Sequence, residues 1–264
     1  MTLPTTVSKG AWAIPLLLFT LSAPLWLHTY EPAMFVYLNT QCASLPVVVW
    51  AGLSLLGNAW GVLGVTAPLL VLAPRLLWAW LCAAPFAMVF ARVGKALIVS
   101  PRPAAVVDNA QVHILGERLE LVSMPSGHTL TAFAVASGIY FALPAARRWR
   151  HGWLFLLAGG VGLSRIAVGA HWPGDVAVGA CLGLLSGLLG NGLLVRMAPS
   201  QQQATAGSLR LVALLILASA YQLLDAGLDF AEALPVQTVL ALVSLISVAA
   251  FAWNNWTRAH KLRD

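Results

Sequence analysis

The sequence predicts an all-α, polytopic membrane helix bundle, and three observations predict it. Hydrophobic residues make up 59% of the 264 and charged residues only 9%, against about 25% charged in an ordinary soluble domain. Mean hydropathy is +0.82. The apolar residues gather into eight runs, at 11–28, 53–73, 76–99, 127–145, 152–170, 174–195, 209–225 and 235–253, near the roughly 20 residues that a spanning helix needs.

The first run, from about Trp12 to Leu27, is expected to be an uncleaved helix. Ser22-Ala23-Pro24 is a poor small-x-small site, which argues against a signal peptide. The second run is the least clean. Gly57-Asn58 interrupts a long apolar stretch that starts at Pro46, so 46–56 reads either as part of the span or as a separate interfacial segment. The third run carries Lys95 near its end, the fourth opens after Ser126, the fifth closes past Arg165 and the sixth opens after Pro173. In the sixth, Gly179, Gly183 and Gly187 recur every four residues, a spacing that lets membrane helices pack backbone to backbone. A polar linker at 198–208 separates residues 1–197, with the first six runs, from residues 209–264, with the last two. The seventh run is short and begins beside Arg210, whose stem can snorkel.

The net charge is +6. No basic stretch is interleaved with aromatics as a nucleic-acid groove would require, so nucleic acid is excluded as a partner. The cations track topology instead. With the N-terminus inside, ten of the fifteen fall at cytoplasmic ends: Lys9, Arg75, Arg147, Arg148, Arg150, Arg196, Arg210, Arg258, Lys261 and Arg263. Eight acidic residues, among them Glu31, Asp175 and Asp229, fall on the outer side. The cation bias predicts N-in and C-in, in a bacterial inner membrane. Cys42, Cys82 and Cys181 are too few and too widely spaced for a disulfide framework or a zinc pattern.

Three polar islands interrupt the apolar chain, all on the predicted outer side: Lys95-(six residues)-Arg102-Pro103, Pro125-Ser126-Gly127-His128, and Ser164-Arg165-(five residues)-His171-(three residues)-Asp175. Ionisable residues are costly beside a bilayer and point to function there. Together these supply what phosphoryl transfer needs: cations for the phosphate oxygens, a nucleophile, a group to orient it, and an acid for the leaving oxygen. Arg102 and Arg165 offer planar bidentate donors, and Lys95 a compact charge. Taken singly, each reads first as a snorkelling interfacial cation; three of them converging beside histidines reverse that reading. Arg92, one turn before Lys95, reads as a site member or an anchor. Ser126 is placed to cap the fourth helix, and Gly127 lets its backbone approach a ligand. Free N–H groups at that helix start favour an anion. His128 is placed to protonate a departing oxygen. Pro173 suits a first helical turn, which sets His171 just before the sixth helix and Asp175 inside it. That carboxylate can fix the imidazole tautomer and leave the other ring nitrogen to attack phosphorus, or it can simply cap the helix. Zinc is the weaker use of these groups, because the neighbouring cations repel it.

These islands resemble, in residue type, spacing and order, the tripartite signature of the type 2 phosphatidic acid phosphatase (PAP2) superfamily. Lys95-x6-Arg102-Pro103 is similar to its first motif, Pro125-Ser126-Gly127-His128 to its second, and Ser164-Arg165-x5-His171-x3-Asp175 to its third. The resemblance covers about 95–175 directly. It implies a six-helix membrane core, which makes the last two helices an addition. It also implies that His171 forms a phosphohistidine, that Asp175 orients it, and that His128 is the general acid. Lys95, Arg102, Ser126, Gly127 and Arg165 then hold the phosphate, Ser164 supports, and no metal ion or other cofactor takes part. The implied substrate is a phosphorylated membrane lipid, met at the surface of the bilayer. Undecaprenyl diphosphate comes first, ahead of phosphatidylglycerol phosphate, phosphatidic acid or lipid A phosphates. Phosphotransfer to another lipid or sugar, and a non-catalytic lipid-binding role, are the competing readings.

Overall fold

Prolines and one capping asparagine decide where the first third of the chain breaks. The computed structural model describes residues 7–28, 32–225, 228 and 230–261. The topological markers Glu31, Asp229 and Arg263 lie outside the described residues. The first expected span is α1 (Ala13–Leu21), entered through a 3-10 turn at Lys9–Trp12, and α2 (Ala23–Leu27). Pro24 sits in the first turn of α2, where its missing N–H is tolerated. The run 11–28 is therefore interrupted at Ser22 and is not one helix.

An unexpected helix follows, α3 (Pro32–Cys42). Tyr37, Asn39, Thr40 and Gln41 hide it from an apolar pattern. Asn39 is fully buried, and its amide is satisfied by distant backbone. It donates to the carbonyls of His113, Ile166 and Ala167 at 3.0, 2.9 and 3.1 Å and accepts from His113 N at 2.8 Å. Next, α4 (Val47–Leu55) is bent by 110° relative to α3. The expected span 53–73 is divided among the end of α4, α5 (Ala59–Thr66) and α6 (Leu69–Leu72). Asn58 makes the first break by capping α5, accepting from Trp60 N at 2.9 Å.

The other expected spans form as α7 (Pro74–Leu97), α9 (Gly127–Ala142), α10 (Trp153–Ala167), α11 (Pro173–Arg196), α12 (Ser208–Leu223) and α13 (Leu234–Lys261), with a short α8 (Pro103–Val106) between α7 and α9. Among the described residues α7, α11 and the segment Ala231–Lys261 are long and apolar enough to cross a membrane singly, and α3 with α4 qualify as a bent pair. Lys9–Leu21, α10 and α12 are apolar but shorter.

Helices α7, α9 and α11 form the centre, and missing side chains let them approach. A Cβ on Gly179 would lie 2.7 Å from the Ser126 carbonyl, one on Gly183 2.6 Å from Phe133 Cβ, and one on Gly190 2.5 Å from Ala83 N. The glycine stripe of the sixth run is thus the seam between α11 and α9, which carry two of the polar islands. Helix α10 packs on α9 and α4, while α12 and α13 pack on each other and on α5 and α6. At the far end of α9, Arg75 Nη1 donates to Ala142 O at 2.7 Å, and Arg148 donates to Phe141 O at 2.8 Å and Leu143 O at 3.0 Å. Cations there complement the negative end of the helix dipole.

Candidate active site

Two short extended segments build the floor of the site. Pro101 and Leu121 form an isolated antiparallel bridge. Arg102 N donates to Glu120 O at 2.8 Å, Ser123 N to Ser100 O at 3.1 Å, and Met124 N to Ser100 Oγ at 2.9 Å. Val122, in this ladder, has φ +59°, a left-handed conformation that costs an L-residue roughly 1–2 kcal/mol. Its carbonyl accepts from Arg102 Nη2 at 3.3 Å. Arg102 is 6% exposed. It also donates from Nε to Leu121 O and from Nη1 to Ala170 O, both at 3.0 Å. Three of its five N–H groups are engaged this way, leaving one on each terminal nitrogen for an oxyanion. Burial lowers its pKa, yet a guanidinium stays charged across the working range.

The third island turns on Gly169, whose φ is +76°. A Cβ there would also meet His113 O at 2.7 Å, so only glycine fits. The turn returns Ala170 N and His171 N to the Arg165 carbonyl at 3.0 and 3.2 Å. His171 is thereby anchored to the backbone of Arg165. Asp175 Oδ2 accepts from Trp172 N at 2.9 Å and from Ser123 Oγ at 2.5 Å, and lies 3.3 Å from His171 Nδ1. One carboxylate oxygen thus faces the start of α11, the Ser123 hydroxyl and the His171 ring together.

His171 is 2% exposed and Asp175 fully buried. Burial pushes the His171 pKa down to about 3, aided by the charges of Arg102 and Arg165 and opposed by the hydrogen bond and charge of Asp175. The imidazole is therefore neutral at neutral pH. With Nδ1–H directed at the carboxylate, Nε2 carries the lone pair.

The islands converge through packing. Ser126 N donates to Asp175 O at 3.1 Å, joining the second island to the third. A Cβ on Gly94 would lie 2.7 Å from Pro125 Cδ, which seats the end of α7 on the second island. Lys95, half-buried in the last turn of α7, interacts electrostatically with Arg102, Arg165 and Asp175. Arg92 is exposed. Arg165 is 6% exposed. Its Nη1 donates to Ser54 Oγ, and its guanidinium lies over the Phe230 ring, 5.7 Å from the centroid.

Ser126 occupies the N-cap position of α9, but its side chain makes no capping bond. Its hydroxyl instead accepts from Thr129 Oγ1 at 2.9 Å. The space around Gly127 is open: a Cβ there would meet no described atom within 4 Å. His128, half-buried, follows in the first turn of α9 against Gly57, where a Cβ would lie 2.8 Å from His128 Cβ. Ser164 bonds back to Val161 O at 2.7 Å within α10.

Sequence reasoning missed Ser123, Ser54, Asn39 and Phe230. Ser123 stands two residues before the second island, a proximity that is its one sequence signal. The others sit in apolar or irregular stretches, and only long-range packing brings them here.

Residues 75–196 match the PAP2 superfamily. A 68-residue stretch is 41% identical to a lipid A 1-phosphatase of Porphyromonas gingivalis, covering 26% of this chain and 15% of that protein. A 67-residue stretch is 46% identical to the bacitracin transport permease protein BcrC of Bacillus licheniformis, covering 25% of this chain and 30% of that protein. The chain thus aligns with less than a third of either relative's length. The crystal structure of Aquifex aeolicus LpxE is similar at a TM-score of 0.52 and 27% identity, covering 60% of this chain and 92% of that one.

Proposed function

The chain belongs to the PAP2 superfamily, and from that premise we propose that it is a multi-pass membrane phosphatase that removes phosphate from a lipid headgroup through a phosphohistidine. The observation that carries this reading is the buried, neutral His171 with Nδ1 3.3 Å from Asp175 Oδ2, set among Lys95, Arg102 and Arg165. Those three cations hold the phosphate oxygens. The N–H groups at the Ser126-Gly127 start of α9 complete the cradle, where the helix dipole favours negative charge. His171 Nε2 attacks phosphorus, and the bond from phosphorus to the leaving oxygen breaks as His128 donates a proton to that oxygen. Water then attacks the phosphohistidine. His128 takes up a proton from that water, the P–N bond breaks, and free phosphate leaves with His171 neutral again. Asp175 holds the tautomer throughout and stabilises the charge that forms on the ring.

The site is placed on the outer face of an inner membrane, with both termini cytoplasmic, as the cation distribution supports. Helix α9 has 16 residues, about 24 Å at the usual rise against a hydrocarbon core of roughly 30 Å. That supports a recess where a headgroup enters while its tail stays in lipid. Residues 1–197 are the catalytic core, 198–208 a linker and 209–264 an added helix pair.

Undecaprenyl diphosphate is the first substrate to test, on the resemblance described above. Lipid A is the second, favoured by the 41% identity to the Porphyromonas gingivalis lipid A 1-phosphatase. The deciding experiment is phosphate release by purified protein in EDTA from both, with phosphatidylglycerol phosphate and phosphatidic acid alongside. Release that survives EDTA and vanishes in His171→Ala is expected. Wild-type rates from a folded His171→Ala protein would eliminate the phosphohistidine.

A further inference from the structure

Helices α12 and α13 lie outside the α7, α9, α11 centre, yet the turn that joins them reaches the phosphate site. Phe230 opens that turn and is 7% exposed; Ala233, at its end, is fully buried. Both pack with Trp50 and Ala51 of α4 and with Ala167 and Val168 after Arg165. The fully buried Gln237 of α13 holds the turn in place, donating from Nε2 to Leu228 O at 2.9 Å and to Phe230 O at 3.5 Å. Helix α13 also approaches α4 closely, because a Cβ on Gly52 would lie 3.0 Å from Val236 Cγ2. Helix α4 in turn presents Ser54 to Arg165 Nη1. Arg165 therefore has a hydroxyl from α4 against one nitrogen, and its Cζ lies over the face of an aromatic ring from the α12–α13 turn, 5.7 Å from the ring centroid.

The two contacts do different work. A hydrogen bond to protein consumes an N–H that a phosphate oxygen needs. An aromatic face orients a guanidinium through its π-electrons and consumes none. A desolvated cation over a ring also loses more by rotating away than an exposed one does.

We propose that Phe230 is a positioning residue, whose ring fixes the plane of the Arg165 guanidinium for phosphate, so that the C-terminal helix pair is part of the active-site machinery. This rests on the reading of Arg165 as a phosphate-holding group. It gives the added helices a task beyond packing: α7, α9 and α11 bring the three islands together, and the α12–α13 turn sets a ring against one of their cations.

The test uses the full-length purified protein and a double-mutant cycle. Inorganic phosphate affinity and kcat/KM for lipid phosphate release are measured for wild type, Phe230→Leu, Phe230→Tyr, Arg165→Gln and Phe230→Leu with Arg165→Gln, each with its thermal midpoint. Phe230→Leu is expected to weaken phosphate binding and lower kcat/KM about tenfold, the scale of a desolvated cation–ring contact. Phe230→Tyr keeps the ring face and recovers most of both. In the Arg165→Gln background, Phe230→Leu is expected to add less than about twofold, because its effect runs through Arg165. Phe230→Met, closer in volume, replaces Phe230→Leu if the leucine variant does not fold. Undiminished phosphate affinity in Phe230→Leu overturns the proposal, and so does an equal loss in both Arg165 backgrounds. Wild type that binds phosphate but hydrolyses no lipid defeats the phosphatase reading alone, since the affinity cycle still decides on Phe230. Wild type that binds no phosphate removes the role of Arg165, and the proposal falls with it.

Discussion

Ser123→Ala is the sharpest perturbation of the proposed chemistry, because it removes one atom, the hydroxyl oxygen that donates to Asp175. Ser123 Oγ donates to Asp175 Oδ2 at 2.5 Å and lies 3.4 Å from His171 Nδ1. The same carboxylate oxygen accepts from Trp172 N at 2.9 Å, so the variant leaves the helix cap in place. What it loses is one of three donors that fix the direction of the carboxylate toward the imidazole. A hydrogen bond to a charged group contributes about 1.5–3 kcal/mol when a partner is deleted. The two remaining donors put the expected loss at the lower end, about 1.5 kcal/mol, or roughly a tenfold fall in kcat. Asp175→Ala removes the whole orienting group and is expected to cost more, in the way that deleting the triad carboxylate does elsewhere. The assay is steady-state and single-turnover phosphate release from detergent-purified protein, beside a thermal unfolding midpoint. Single-turnover data separate phosphohistidine formation from product release. A Ser123→Ala enzyme with wild-type single-turnover rates would refute the claim that the direction of Asp175 matters to His171.

Other consequences are independent of this one. In the proposed mechanism His171 must be neutral to attack, and burial pushes its pKa down from 6.5 to about 3. Phosphate release should therefore persist as pH falls through 6.5 and decline only toward 3; an acid limb centred near 6.5 in kcat/KM would contradict the burial of His171. The same shift makes the fold less stable below pH 6.5, where the unfolded chain takes up a proton that buried His171 refuses, so the thermal midpoint should drop with acid. Gly183→Val drives a side chain into Phe133 across the α9–α11 seam and is expected to cost about 1–3 kcal/mol or more by overpacking; an unchanged unfolding midpoint would mean the two helices are not packed this closely. A topology reporter fused after Asp264 should report cytoplasm, as the Lys and Arg distribution predicts, and a signal from the opposite side would invert the proposed placement of the site.

Some of this protein follows from local spacing and composition, and those parts are readable without coordinates. Low charge and long apolar runs commit the chain to a helical membrane bundle, because unpaired backbone polar groups cannot be left in lipid. Pro173 sets a helix start, which fixes His171 and Asp175 across one turn and lets their pairing be anticipated. Asn58 marks its own break. Elsewhere the pattern misleads: α3 escapes notice because Asn39 looks too polar for a buried helix, until three carbonyls from other elements accept its amide protons. The Ser126 hydroxyl, expected to cap α9, turns to Thr129 instead. Spacing alone names the cations and histidines of the islands. It does not reveal that Arg102 is clamped by three carbonyls, that Ser123 grips Asp175, or that Ser54 and Phe230 hold Arg165. Those contacts join residues from 19 to 111 positions apart wherever a hydrogen bond records them. Such contacts depend on how close the helices come, and a glycine seam between α9 and α11 sets that distance only once both helices are packed.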